Sequence, residues 1–175
     1  MRVLSLISRC SLFMARLNQG FSVALLVLMV IVTFNQVIFR YVLNNSLDWS
    51  EEAARYLFVW TCYIGMSFAM HSGSHLEVTV LRGRLGKNSA KYMAAFSCAV
   101  TAIFCLVVGF FGIDAVTKLY LTEQTTVALQ LETWTVWMCL PIGFFLTFIQ
   151  ATFRTILILG GAVNPDGDDT LLQTS

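Results

Sequence analysis

Long apolar runs alternate with short polar stretches along the chain, and the runs set its architecture. Residues 21–39, FSVALLVLMVIVTFNQVIF, carry no charge and place Asn35 and Gln36 near their far end. Residues 92–113, YMAAFSCAVTAIFCLVVGFFGI, are uncharged throughout, and residues 133–153 are interrupted only by Pro141. Each run lies near the ~20 residues that cross a bilayer as a helix. A further run, about 49–72, has a shorter apolar part at 56–70. It reaches spanning length if its helix starts upstream and Arg55 snorkels its guanidinium towards the headgroups. The pattern predicts an all-α integral membrane fold with four transmembrane helices, at about 19–42, 49–72, 90–119 and 132–159, within a membrane domain of residues 18–160.

The polar stretches supply ends and connections. Span one is expected to leave the membrane at Arg40 and Tyr41, a cation and an aromatic suited to the interface, and Asn44, Asn45 and Ser46 are turn residues. Asp48 can cap the second helix, with Glu51 three residues on completing a box-like arrangement. Glu51 and Arg55 stand four apart with the acid first, the favourable order for a helical ion pair, and Glu52 and Tyr56 share the adjacent face. Between spans two and three the sequence is too polar to cross, but its apolar part at 76–81 predicts an interfacial segment. Pro141 removes one backbone hydrogen bond and predicts a bend in span four. Residues 161–175, with Asp166, Asp168 and Asp169, predict a flexible acidic tail.

Before span one, Arg2, Arg9 and Arg16 recur every seven residues, with Val3, Leu6, Cys10, Phe13 and Leu17 on another face. This predicts an amphipathic helix over 1–17 lying on the cytoplasmic surface, its arginines near anionic phospholipid. The apolar run that follows is too long for a signal-peptide core and no A-x-A-like cleavage site follows it, so the segment is expected to be retained.

Composition agrees: 57% of the 175 residues are hydrophobic and 12% charged, against roughly 25% charged in soluble domains. A net charge of +1 gives no argument for nucleic acid or an acidic partner. Its distribution says more. Eight of the eleven Lys and Arg residues fall before span one, between spans two and three, or at Arg154, against three (Arg40, Arg55 and Lys118) on the other side. By the positive-inside rule both termini and the middle loop are cytoplasmic. Trp49, Trp134 and Trp137 then mark the outer boundary as an aromatic belt. The five cysteines show no C-x-x-C pairing and read as small packing residues. Ala90, Ala94, Cys98 and Ala102, four apart on one face of span three, let a neighbouring backbone approach closely.

The polar residues exclude more chemistry than they suggest. A self-sufficient exporter needs an ionisable group in mid-membrane, and larger carriers need paired broken helices; the apolar runs 21–39, 92–113 and 133–153 of spans one, three and four are free of charge and hold a single proline. A haem or quinone anchor of a redox complex would take axial histidines from facing helices, whereas His71 and His75 lie four apart on one. The Asp48, Glu51 and Glu52 cluster lacks a nucleophile, a metal-ligand set and a cleft. No catalytic, cofactor or metal site is expected, and the chain does not read as an enzyme.

RYVLNNSLDWSEEAARYLFVW followed by GMSFAMHSGSHLEVTVL resembles the signature of the small membrane subunit of tripartite ATP-independent periplasmic (TRAP) transporters, the DctQ-like proteins. In that pattern an Arg-aromatic pair ends the first helix, a Trp followed by two acids and an Arg starts the second, and a Gly-x-His-apolar step follows. Here these are Arg40 with Tyr41, Trp49, Glu51 with Glu52, Arg55, and Gly73 with His75. The resemblance implies an auxiliary subunit of a sodium-coupled uptake system for organic acids, of dicarboxylate or sialic acid type, in the bacterial inner membrane. Its implied partners are a large membrane subunit that carries substrate and a periplasmic substrate-binding protein that it helps to dock. Arg40, Trp49, Glu51, Glu52, Arg55 and His75 are the expected structural and interfacial set.

Overall fold

The computed structural model describes residues 2–45, 47–72 and 87–161, with backbone alone for 2–4 and 87–90. The elements are α1 (Arg2–Tyr41), α2 (Asp48–Ser72), α3 (Lys87–Leu121), α4 (Thr133–Trp137) and α5 (Cys139–Leu159). Three stretches are long and apolar enough to cross a membrane: Ser5–Tyr41, Lys91–Leu121 and Thr133–Leu159. α2 has 25 residues, and its charged first two turns make it the least apolar of the long helices. It packs between α1 and α5, while α3 packs on the far side of α5. The helices thus run in space as α1, α2, α5, α3, and α2 and α5 form the shared centre.

The boundary expected at residue 17 is not a break. α1 continues through it for 40 residues, about 60 Å at 1.5 Å per residue and twice the ~30 Å hydrocarbon core. The reason lies on a face that the arginine spacing obscured. Ser8, Ser11, Ala15, Asn18 and Ser22 recur at three- and four-residue steps and are all buried, so one continuous stripe docks both halves of α1 on the same neighbours. Lipid tails are as apolar as leucine, so membrane helices associate through close packing of small residues and interhelical hydrogen bonds. α1 accordingly turns small polar side chains inward and leaves Leu6, Phe13, Leu17 and Phe21 exposed. Arg9 and Arg16 are exposed on this same helix, whose first turn holds Arg2.

α1 ends as its turn residues suggest. Asn44 takes a positive φ of 46°, which Asn tolerates better than most residues, and the Asn45 N–H closes on the Phe39 carbonyl at 3.1 Å. α2 starts at Asp48, so that residue is already helical rather than capping. The Leu47 carbonyl accepts from the Ser50 N–H at 3.1 Å and from the Ser50 hydroxyl at 2.6 Å. Asp48 and Glu51 occupy the first turn, where carboxylates complement the helix dipole.

The small face of α3 is used inside this chain. Ala94, Ala95, Cys98 and Ala102 are buried in one cluster with Met70, Ala151 and Ile158, so α5 occupies the side that the alanine spacing opens; Ala90 lies in the first turn of α3. The expected bend in span four appears as an interruption at Met138, between α4 and α5. Pro141 has no N–H to donate to the carbonyl four residues back, that of Trp137, and the ladder resumes with Ile142 donating to Met138 at 3.2 Å. Among the cysteines, Cys98, Cys105 and Cys139 are buried and Cys10 and Cys62 exposed, and none is disulfide-bonded.

Candidate functional site

Two polar centres lie at opposite ends of the bundle. At the end marked by Trp49, the connection from α3 to α4 folds back on itself through an antiparallel bridge between Thr125 and Glu132. Thr126 N–H donates to the Leu131 carbonyl at 2.8 Å and Thr133 N–H to the Gln124 carbonyl at 2.9 Å. Glu123 and Gln130 supply the positive φ angles, 47° and 52°, that the turns need. Glu52 holds this loop. Its Oε2 accepts from the N–H of Ala128 at 2.7 Å and of Leu129 at 3.0 Å, while the Tyr56 hydroxyl donates to Oε1. Glu52 and Tyr56 share a face, and the carboxylate between them and the loop is a clamp joining α2 to a segment some 76 residues away.

The neighbouring predicted residues play different parts. Among the described residues no ion pair joins Glu51 to Arg55; both side chains are exposed. Their attraction at a wet surface is worth only a few tenths of a kcal/mol, too little to hold two long side chains together. Arg40 is exposed, its guanidinium 6.0 Å from the Tyr41 ring centroid. Trp49 and Trp137 are also exposed. Trp134 is fixed by its Nε1–H to Glu132 Oε2 at 2.6 Å and by an edge-on contact with Tyr120. His75 lies outside the described residues, as do Gly73, the 76–81 segment and residues 162–175.

Glu52→Gln leaves shape intact but turns one carboxylate oxygen into an amide donor. Two loop amides and the Tyr56 hydroxyl then compete for one acceptor. Faster amide hydrogen exchange at Ala128 and Leu129 is the expected result, with the rest of α2 unchanged; unchanged exchange at both amides would show that the loop holds itself.

The second centre escaped the sequence reading. Gln150 is fully buried. Its Oε1 accepts from the Ser11 hydroxyl at 2.8 Å, and its Nε2 donates to the Ser11 carbonyl at 3.0 Å. The Ser11 hydroxyl also lies 3.1 Å from His71 Nδ1, and Asn18 Nδ2 donates to Ser67 Oγ at 3.0 Å. Arg154, 6% exposed, sends Nη1 to the carbonyls of Met70 (3.3 Å) and His71 in the last turn of α2. Lys91 Nζ likewise donates to the Leu159 carbonyl at 3.0 Å, at the end of α5. These side chains satisfy helix-end carbonyls and lock α1, α2 and α5 in register. A Gln and an Arg placed i, i+4 within the apolar run of span four were the available signal.

Among the described residues the Ser11–His71 contact is closed over by Gln150, which takes both the Ser11 hydroxyl and the Ser11 carbonyl. The architecture is that of an all-helical, multi-pass membrane protein whose polar groups serve packing.

The chain belongs to the DctQ component family of the tripartite ATP-independent periplasmic transporters, whose family model matches residues 29–159. It is 27% identical over 111 residues to the C4-dicarboxylate TRAP transporter small permease protein DctQ of Rhodobacter capsulatus, covering 62% of this chain and 49% of that one. The ectoine TRAP transporter small permease protein TeaB of Halomonas elongata is 24% identical over 129 residues, 74% of this chain and 67% of TeaB. The isethionate TRAP transporter permease protein DctMQ of Oleidesulfovibrio alaskensis is 29% identical over 146 residues, 78% of this chain but 22% of that protein. This chain thus spans about half the length of the Rhodobacter relative. It is a small-permease-type protein of the bacterial inner membrane.

Proposed function

We propose that this chain is the scaffold subunit of a sodium-coupled TRAP transporter for organic acids. It pairs with a large transport subunit and helps seat the periplasmic binding protein. The observation that carries this reading is the open row of helices: among the described residues α2 and α5 are covered on both sides, while α1 and α3 each leave a long apolar face uncovered. Such a row extends a larger membrane body sideways. The isethionate relative, in which the matched region is a fifth or so of the polypeptide, supports work alongside a larger permease. The relatives' names change in substrate, from C4-dicarboxylate to ectoine to isethionate, while the matched segment persists. That variation supports substrate choice elsewhere in the transporter. Four spans with both termini cytoplasmic complete the proposal, supported by the position of α2 between two apolar helices and by the charge distribution.

Because α5 covers the small face of α3, the partner-facing side is sought on α1. Gly20, Ala24, Ile31 and Asn35 lie opposite its buried stripe. A Cβ at Gly20 would meet nothing within 4 Å, and the Asn35 side-chain amide is exposed with no hydrogen-bond partner among the described residues. Small residues beside an amide form a suitable helix-packing surface within a membrane. Gly20→Leu combined with Ala24→Leu is expected to reduce co-purification of the large subunit without altering the melting of this chain; full retention would move the interface to another face.

At the Trp49 end, the loop held by Glu52 presents Val127, 96% exposed, as one contact for the binding protein. The function itself is tested in proteoliposomes under a sodium gradient. The large subunit with binding protein should take up an organic acid only when this chain is present, and this chain alone should take up none. Uptake without it contradicts the scaffold role.

A further inference from the structure

On the flank of α2 turned towards α4 and α5, a cavity of about 240 Å³ is lined by Arg55, Val59, Tyr63, Val136, Trp137 and Leu140 among others. Its residues are graded. Arg55, Val59 and Tyr63 follow one another at four-residue steps down one side of α2, so the cation stands at the mouth and the apolar wall continues two turns below it. Among the described residues Arg55 makes no hydrogen bond or ion pair. The aromatic residues Trp49, Trp134 and Trp137 at this end give it the character of a membrane–water boundary. The larger groove of about 620 Å³ between α1 and α2 has no charged residue in its wall and lacks this grading.

A free guanidinium above an apolar slot, at headgroup depth, matches an amphipathic molecule with an anionic head. Arg engages phosphate oxygens through two parallel N–H donors, and the slot below admits hydrocarbon. We propose that this cavity seats one phospholipid of the Trp49-side leaflet, its phosphodiester on Arg55 and one acyl chain against Val59, Tyr63, Val136 and Leu140. The seated lipid fills the space between α2 and the α4–α5 junction. The inference depends on membrane placement and not on the pairing with a large subunit, so it can fail while the transporter complex stays intact.

The test uses the full transporter complex in nanodiscs containing a photoactivatable phosphatidylglycerol. Labelling should map to Val59, Tyr63 or Leu140. Arg55→Gln should weaken it about tenfold, the loss of one charge-assisted hydrogen bond, and Val59→Phe, which keeps the charge but fills the slot, should weaken it as well. Excess inorganic phosphate should not compete. Co-purification with the large subunit serves as the folding control, with Arg55→Lys and Val59→Leu as substitutes if either variant fails to assemble. Labelling that is unchanged in both variants overturns the proposal. So does competition by inorganic phosphate, which would make the site a free-anion site, and so does a cross-link from Arg55 to an acidic segment of the large subunit, which would make it a protein contact.

Discussion

Gly143→Val is expected to drive α2 and α5 apart and to leave little folded protein in the membrane. A Cβ at Gly143 would stand 2.7 Å from Tyr63 Cβ, 2.8 Å from the Tyr63 carbonyl oxygen and 3.0 Å from its carbonyl carbon. These are mostly backbone atoms, which cannot rotate aside as the tip of a side chain can. Overpacking a well-filled interior costs about 1–3 kcal/mol when side chains can adjust, and a backbone clash at the central helix pair belongs at or above the top of that range. Gly112→Ala is the control. There the added Cβ first meets the Cδ2 methyl of Leu140, a rotatable group, so a small loss is expected. Thermal melting followed by fluorescence-detected size exclusion compares the two; equal stability of the Gly143 and Gly112 variants would show that α2 and α5 are not held at this crossing.

Arg154→Leu should be nearly as damaging, although it replaces a charge by an apolar side chain inside a membrane protein. Arg154 is buried against the last described turn of α2, where the carbonyls of Met70 and His71 accept from Nη1. Removing the guanidinium takes a buried charge-assisted donor away from both carbonyls, a loss of about 3 kcal/mol. A cation at the C-terminal end of a helix also complements its dipole. Arg154→Lys, with the charge retained but the fork lost, should fall between the two. The same melting assay decides, and a Leu variant as stable as the parent would show that the contact contributes nothing net.

What could be read beforehand divides along physical lines. Charge-free runs mark helices in any environment, so α1, α3 and the α4–α5 pair stood out in the sequence, and the missing N–H of Pro141 located their interruption to within a few residues. The family resemblance rests on Arg40 to Leu81 and agrees with the match over residues 29–159. The inward face of α1 was overlooked because hydrophobic patterning looks for large apolar residues inside, whereas a helix packed within lipid buries its small polar ones: Ser11 and Asn18 are buried and Phe13 and Leu17 exposed. Glu52 and its neighbour Tyr56 are legible in the sequence, but the other partners of the carboxylate are backbone N–H groups of a distant loop, which carry no residue signature. In the sequence Arg154 reads only as a cytoplasmic charge, since its acceptors, backbone carbonyls of α2, are equally silent there. The Ala94 and Ala102 face was recognisable as a packing surface; its occupant, α5 of the same chain, became identifiable only from the fold.

As a scaffold subunit, this chain is expected to work as the fixed partner of a larger permease. The most direct measurement is purification of the tagged chain in mild detergent from cells expressing its native operon, followed by intact-mass analysis of the complex. One large polytopic membrane protein, bound at one copy per chain, is the expected result. A chain recovered alone under conditions that preserve its own fold, or bound instead to a coloured redox protein, would contradict it.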